Sequence, residues 1–140
     1  MSVEFCDTNV VVYAYDTTAG VKHERARLLL ERLWSEGIGA VSVQVLQELF
    51  VTLTRKIPRP LDTPAARAIV ADLATWHVIE PTAADVLAAV DASFRWQISF
   101  WDAMILIAAE RAGAAVVWSE DLNATQTFDG VSVRNPLHDA

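Results

Sequence analysis

Val3-Glu4-Phe5-Cys6-Asp7-Thr8-Asn9-Val10 opens the chain with a short apolar run that ends in a carboxylate. It reads as a buried strand handing over to a helix. An acid at the tip of a buried first strand is poorly placed for packing and well placed for chemistry, because ligand sites in open α/β sheets gather outside the carboxyl ends of strands. Working outward, the spacing predicts a strand over Val3 to Cys6, a helix start over Thr8 to Ala14, and a helix over His23 to Glu36 with Ala26, Leu29, Leu30 and Leu33 on one face. Gly37 and Gly39 punctuate its end. A short strand Ala40 to Val41 follows, then a helix Val43 to Thr54 capped by Ser42 and stopping before Pro58 and Pro60. Thr63 to Thr75 reads as a helix with Pro64 in its first turn, followed by a strand at His77 to Ile79. Helices over Ala83 to Phe94 and Phe100 to Ala112 precede Gly113, a strand Ala115 to Trp118 and a last strand Val131 to Val133. Such alternation is the signature of an α/β fold, with a mainly parallel central sheet flanked by helices. Right-handed crossovers then bring the strand ends that precede helices to one edge.

At 140 residues, 53% apolar and a mean hydropathy of +0.27, residues 1–140 are expected to form a single domain with one core. No apolar stretch reaches the roughly 18 to 20 residues of a membrane span, and the amino terminus lacks the basic flank and cleavage site of a signal peptide, so a cytoplasmic protein is expected. Cys6 is the one cysteine, which excludes a disulfide framework and a thiolate zinc cluster and leaves a small buried hydrophobe. A net charge of −7 argues against a broad cationic surface for nucleic acid. Arg55, Lys56 and Arg59 do form a local basic patch, readable either as a solvated helix end or as a phosphate contact.

Three further acids, Glu48, Asp102 and Asp121, sit in apolar contexts like that of Asp7. Asp7 follows the first strand, Glu48 lies about two turns into the helix after the second, Asp102 is in the first turn of its helix, and Asp121 lies just past Trp118. Carboxylates brought together raise and couple their pKa values unless a cation offsets the repulsion. Hard oxygen donors of this kind suit Mg²⁺ or Mn²⁺. Each acid also has a structural reading. Asp7 could be an N-cap, Ser99-Phe100-Trp101-Asp102 nearly a capping box, Glu48 a solvated helical acid, and Asp121 turn chemistry with Glu120 as its rival.

The set in its order resembles the PIN-domain ribonucleases, specifically the toxins of VapBC-type toxin–antitoxin pairs. The matching stretches are Asp7-Thr8-Asn9-Val10, Val45-Leu46-Gln47-Glu48, Ser99-Phe100-Trp101-Asp102-Ala103-Met104-Ile105, Ser119-Glu120-Asp121-Leu122-Asn123 and Gly130-Val131-Ser132-Val133-Arg134-Asn135-Pro136. The resemblance implies a PIN-like fold in which Asp7, Glu48, Asp102 and Asp121 are the catalytic, metal-binding acids. It makes Asn9 and Ser119 supporting polar groups behind the acids or beside the phosphate. It further implies an endoribonuclease using Mg²⁺ or Mn²⁺ and leaving 5′-phosphate and 3′-hydroxyl ends, an RNA substrate, a cognate antitoxin that blocks the metal site, and a homodimer. Asn123-Ala124-Thr125-Gln126 departs from the small-residue turn of many relatives, so Glu120 and Asp121 both stand as candidates for the fourth acid.

Other chemistries lack their residues. His23, His77 and His138 are scattered away from the acid motifs, which disfavours paired-histidine cleavage, and Gly37-Ile38-Gly39 lacks the rest of a dinucleotide fingerprint. A phosphatase using a first-strand Asp as nucleophile would place a second Asp where this chain has Asn9. A non-catalytic PIN-like module that binds RNA or protein is the alternative from another class. The five tryptophans read as mostly core, with any exposed subset available to a partner or to RNA bases.

Overall fold

The computed structural model describes residues 2–122 and 127–137. Its strands are β1 (Val3–Cys6), β2 (Gly39–Ser42), β3 (His77–Ile79), β4 (Ala114–Trp118), β5 (Thr127–Phe128) and β6 (Val131–Arg134). They form one sheet in the order β3-β2-β1-β4-β6-β5 among the described residues. Every pairing is parallel except that of β5 with β6. β1 therefore lies between two parallel neighbours, and its Phe5 and Cys6 are fully buried. Parallel strands need helices on the sheet to cover them, and the apolar helical faces read in the sequence supply that cover.

The helices are α1 (Thr8–Tyr15), α2 (Val21–Glu36), α3 (Val43–Arg55), α4 (Thr63–Leu73), α5 (Ala83–Trp96) and α6 (Phe100–Arg111). Local chemistry sets their ends. Asp7, Ser42, Asp62, Thr82 and Ser99 each cap a helix through a side-chain oxygen, satisfying amides that would otherwise have no partner. Gly37, at φ 67°, ends α2 in the left-handed conformation. Ala89, Ala92, Ala103 and Met104 form a small cluster between α5 and α6, where alanines let the two helices approach closely.

Where expectation and structure differ, hydrogen bonding explains the difference. α2 starts two residues early, at Val21, and β2 extends by one residue at each end, so that Ser42 both finishes the strand and caps α3. α4 stops at Leu73 because the Thr75 hydroxyl donates to the Asp72 carbonyl and closes the last turn. β5 was not expected. Asp129 (φ 47°) and Gly130 (φ 86°) form a two-residue turn that folds Phe128 back onto Val131, the Asp-Gly signal of a tight hairpin. The Trp96 ring meets Phe128 edge-on at 4.8 Å, and Arg95 reaches Asp129 at 3.0 Å, which ties this hairpin to α5. Asn123-Ala124-Thr125-Gln126, with the departure from relatives noted there, and His138 lie outside the described residues.

Three of the five tryptophans pack against the core and two form the exposed subset. Trp101 is 62% exposed and Trp34 41%, while Trp76, Trp96 and Trp118 are half-buried. Trp76 nonetheless sets a tight constraint, since a Cβ on Gly39 would lie 2.5 Å from its ring. Trp34 holds that ring edge-on at 5.2 Å and limits its retreat. Gly39→Ala is expected to lower stability by about 1–3 kcal/mol through overpacking, visible as a reduced melting temperature. An unchanged melt would mean that the Trp76 ring yields freely.

Candidate active site

β1 ends by directing the Asp7 backbone amide to the Trp118 carbonyl at 2.9 Å, so the first residue after β1 is pinned against the last residue of β4. Asp7 is 6% exposed. Its Oδ1 accepts from the Thr8 amide at 2.7 Å and its Oδ2 from the Ser119 hydroxyl at 2.8 Å. Asp7 is thus an N-cap, as the structural reading had it, yet one carboxylate oxygen is turned to a residue 112 positions away. Burial pushes its carboxyl up to about 6, against the two hydrogen bonds, and the nearby charges of Asp121 and Asp102 add to the rise.

Ser119 is wholly buried and holds this corner together. While its hydroxyl donates to Asp7, its oxygen accepts from the amides of Asp121 and Leu122, both at 3.2 Å. Asn9 does the same from α1, its Oδ1 accepting from the Glu120 amide at 3.0 Å. Both expected supporting residues fasten the segment after β4 onto the end of β1.

Asp102 sits in the first turn of α6, where Ser99 Oγ accepts from its amide at 3.0 Å. That is half of a capping box. The full box is made at the start of α5, where the Asp85 carboxylate also accepts from the Thr82 amide at 2.8 Å and pairs with Arg111 at 2.6 Å. Among the described residues no such return bond engages the Asp102 carboxylate.

Glu48 is reached differently. Its exposed carboxylate accepts from the Thr8 hydroxyl at 2.8 Å and from the Gln44 side-chain amide at 3.4 Å. Thr8 and Gln44 are contributors that sequence reasoning passed over. Thr8 stood inside the quoted tetrad, and Gln44 lies one helical turn before Glu48.

The rivalry between Glu120 and Asp121 has a physical basis for a decision. Glu120 is engaged by Lys22 at 2.6 Å and by the Tyr13 hydroxyl at 3.1 Å, with Lys22 also over the Tyr13 ring at 5.1 Å. Asp121 is exposed and adds to the charge felt at Asp7, whereas Glu120 already has a cation beside it. Both border a cleft of about 550 Å³ between α1 and α3, together with Asn9, Tyr13, Glu48 and Lys56. Lys56, from the basic patch, lines this cleft, while Arg55 and Arg59 are exposed outside it.

Among the described residues no three acidic, imidazole or thiol groups converge into a ready-made coordination shell. The donor set still fits Mg²⁺ or Mn²⁺, which keep several waters and are held through one or two carboxylates plus phosphate oxygens. A desolvated carboxyl whose charge is opposed by two neighbouring acids is the group that gains most from a cation.

The raised Asp7 pKa has a signed consequence for the metal-free protein. The folded state holds the Asp7 proton more tightly than the unfolded chain, so this group's contribution is fully present below about 3.8 and is lost as pH rises through about 6. In chelator, Asp7→Asn is expected to be more stable than the parent at pH 8 by on the order of 2 kcal/mol, the gain shrinking through about pH 6 and vanishing near about pH 4. Thermal melts across that range check it, and a destabilised variant at the alkaline end would contradict a desolvated charge at Asp7.

None of the curated proteins compared matches the chain. Its fold is similar to that of VapC20 from Mycobacterium tuberculosis, a toxin that cleaves the sarcin–ricin loop, with a TM-score of 0.65 and 22% identity over 84% of this chain and 89% of that one. It is also similar to a chain of a toxin–antitoxin complex from Klebsiella pneumoniae, with a TM-score of 0.68 and 19% identity over 96% and 98% of the two chains. A third likeness is to DNA-bound VapBC from Salmonella typhimurium, with a TM-score of 0.65 and 19% identity over 97% and 99%. At these identities the likeness carries the fold. The model of the PIN domain matches residues 5–127, a span that takes in Asp7, Glu48, Asp102 and Asp121. The chain belongs to the PIN domain family.

Proposed function

We propose that this protein is a metal-dependent endoribonuclease acting as the toxin of a VapBC-type toxin–antitoxin pair. The observation that carries the reading is the buried Asp7 carboxylate, opposed by Asp102 and Asp121 and set at the end of β1 beside an open cleft. The neighbours described above, a loop-cleaving toxin and toxin–antitoxin complexes, support the biological setting. Among the described residues no helix is long and apolar enough to cross a membrane. A toxin that acts on cellular RNA would work in the cytoplasm.

In this reading Asp7, Glu48, Asp102 and Asp121 hold Mg²⁺ or Mn²⁺. The bound ion supplies charge neutralisation at the phosphate and a more acidic coordinated water. Ser119 fixes the Asp7 carboxylate and Thr8 fixes that of Glu48, so neither acid has to reorganise when substrate arrives. Attack by water at phosphorus breaks the bond to the 3′ oxygen and leaves a 3′-hydroxyl and a 5′-phosphate. The RNA 2′-hydroxyl is not the nucleophile, so discrimination of RNA rests on contacts along the strand. A cognate antitoxin would close the cleft with a tail carrying an Arg against the carboxylates, and the toxin would act as a homodimer.

Total cellular RNA incubated with partner-free protein and Mg²⁺ or Mn²⁺ is expected to yield fragments with 5′-phosphates, lost in chelator and reduced by about 100-fold or more in Asp7→Asn. Absence of both cleavage and calorimetric metal binding would instead favour a non-catalytic binding module. Lys56→Ala is expected to weaken RNA binding and to lower the slope of log affinity against log salt by about 1, whereas Arg59→Ala leaves that slope unchanged. Equal slopes for parent and Lys56→Ala would return Lys56 to the role of a solvated helix end.

A further inference from the structure

We propose that Trp101 is a stacking platform for one base of a single-stranded RNA bound across the acids. This deepens the ribonuclease reading and rests on it. Trp101 is 62% exposed at the second position of α6, immediately before Asp102. An indole carries a large apolar face that packing ordinarily covers. Here it is left in water and yet held in place. The Phe100 ring lies 5.0 Å away at 75°, bracing it edge-on. Its backbone is set by the Ser99 cap, and its carbonyl accepts from the Gln44 side-chain amide at 3.5 Å.

Gln44 is what joins this ring to the site. The same amide nitrogen reaches Glu48 at 3.4 Å, so Trp101 is one residue from Asp102 and one side chain from Glu48. On α3, Gln44, Glu48 and Thr52 recur every fourth residue, and Lys56, the C-cap, continues a stripe that turns by about 40° at each step. From Gln44 to Lys56 that stripe runs about 18 Å along the axis. Trp101 stands at one end of it and Lys56, in the cleft, at the other.

Proximity to Glu48 and Asp102 favours RNA as the occupant of this track, and charge favours stacking as the means. The chain is acidic overall, and Glu48, Glu120 and Asp121 line the cleft beside the track, so phosphates gain little from the protein surface beyond Lys56 and the ion that the acids would hold. An aromatic face adds affinity without charge and takes any base, as single-strand binding surfaces do. The other exposed indole, Trp34, is at the amino end of β2, beside Gly37 and Gly39 and away from the strand ends that carry the acids.

The test uses the full chain carrying Asp7→Asn, so that RNA is bound without being cut, in Mg²⁺, with fluorescein-labelled single-stranded oligonucleotides of about 12 residues, ample for a single-strand site, read by anisotropy. Adding Trp101→Ala is expected to raise Kd about 10-fold, within the roughly 5- to 150-fold range that loss of one stacked base gives. Trp101→Phe should recover most of the affinity and Trp101→Leu little of it. An abasic nucleotide walked along the RNA should erase the affinity difference between proteins with and without Trp101→Ala at one position only, a readout that a merely structural role would not move. Affinities within about twofold for Trp101→Ala, well short of one lost stack, would overturn the platform. Full rescue by leucine, no abasic position that erases the difference, an affinity loss that tracks a changed oligomeric state in sedimentation, or an Asp7→Asn parent that binds no RNA would each do the same. The nuclease reading is scored separately, by cleavage with the unsubstituted chain. Trp101-dependent binding without cleavage would keep the platform and discard the nuclease.

Discussion

The hydrogen bond from Ser119 to Asp7 is the constraint on which the site depends. It joins the end of β1 to the segment after β4 across 112 residues and is wholly removed from water at Ser119. Without it, Asp7 would keep only the Thr8 amide against the cost of burying a charge. The same serine oxygen takes the amides of Asp121 and Leu122, so one hydroxyl fixes both the driest acid and the backbone of an exposed one. Parallel pairing of β1 with β4 makes this possible, because it brings Cys6 opposite Trp118 and hence Asp7 beside Ser119.

An acidic chain can hide a functional carboxylate among ordinary ones, and here the partners separate them. Asp85 is consumed by a capping box and Arg111, Glu4 by Arg32 and the Trp118 indole, and Glu120 by Lys22 and Tyr13. These acids have cations or donors that balance them, and Arg32 accordingly holds Glu4 below the usual carboxylate range. Asp7 is balanced only in part and is pushed upward. The contrast between acids with a cation beside them and one without is what supports the proposed ion site, more than the number of acids does.

Function then rests on a division of labour between elements. β1 and β4 supply rigidity, the first turns of α1 and α6 supply Asp7, Thr8 and Asp102, and α3 lays a polar face alongside them. Sites carried on strand ends and helix starts are held more firmly than sites on loops, which suits chemistry needing little reorganisation. In the proposed nuclease, recognition would fall to side chains farther out on the same helices, Lys56 at the end of α3 and Trp101 at the start of α6, where exposure is tolerated.

Much was legible in the sequence because it depends on local periodicity and capping. The strand of Val3 to Cys6, the switch to helix at Thr8, the caps at Ser42 and Ser99, and the α/β alternation all follow from spacing and from which side chains can satisfy a helix end. That locality is also why the ordered acids could be picked out. The hairpin at Asp129 and Gly130 was readable by the same logic and was missed because its strand is two residues long. Only the tertiary structure decided what depends on contacts between distant segments. It tied Glu120 to Lys22, left Asp121 exposed in the cleft, bound Glu48 to Thr8 across 40 residues, and put Trp101 in water while Trp76 and Trp96 turned inward. Spacing within one element specifies which residues share a face, but which faces meet is set by the packing of the whole sheet, and that assigns partners no local pattern records.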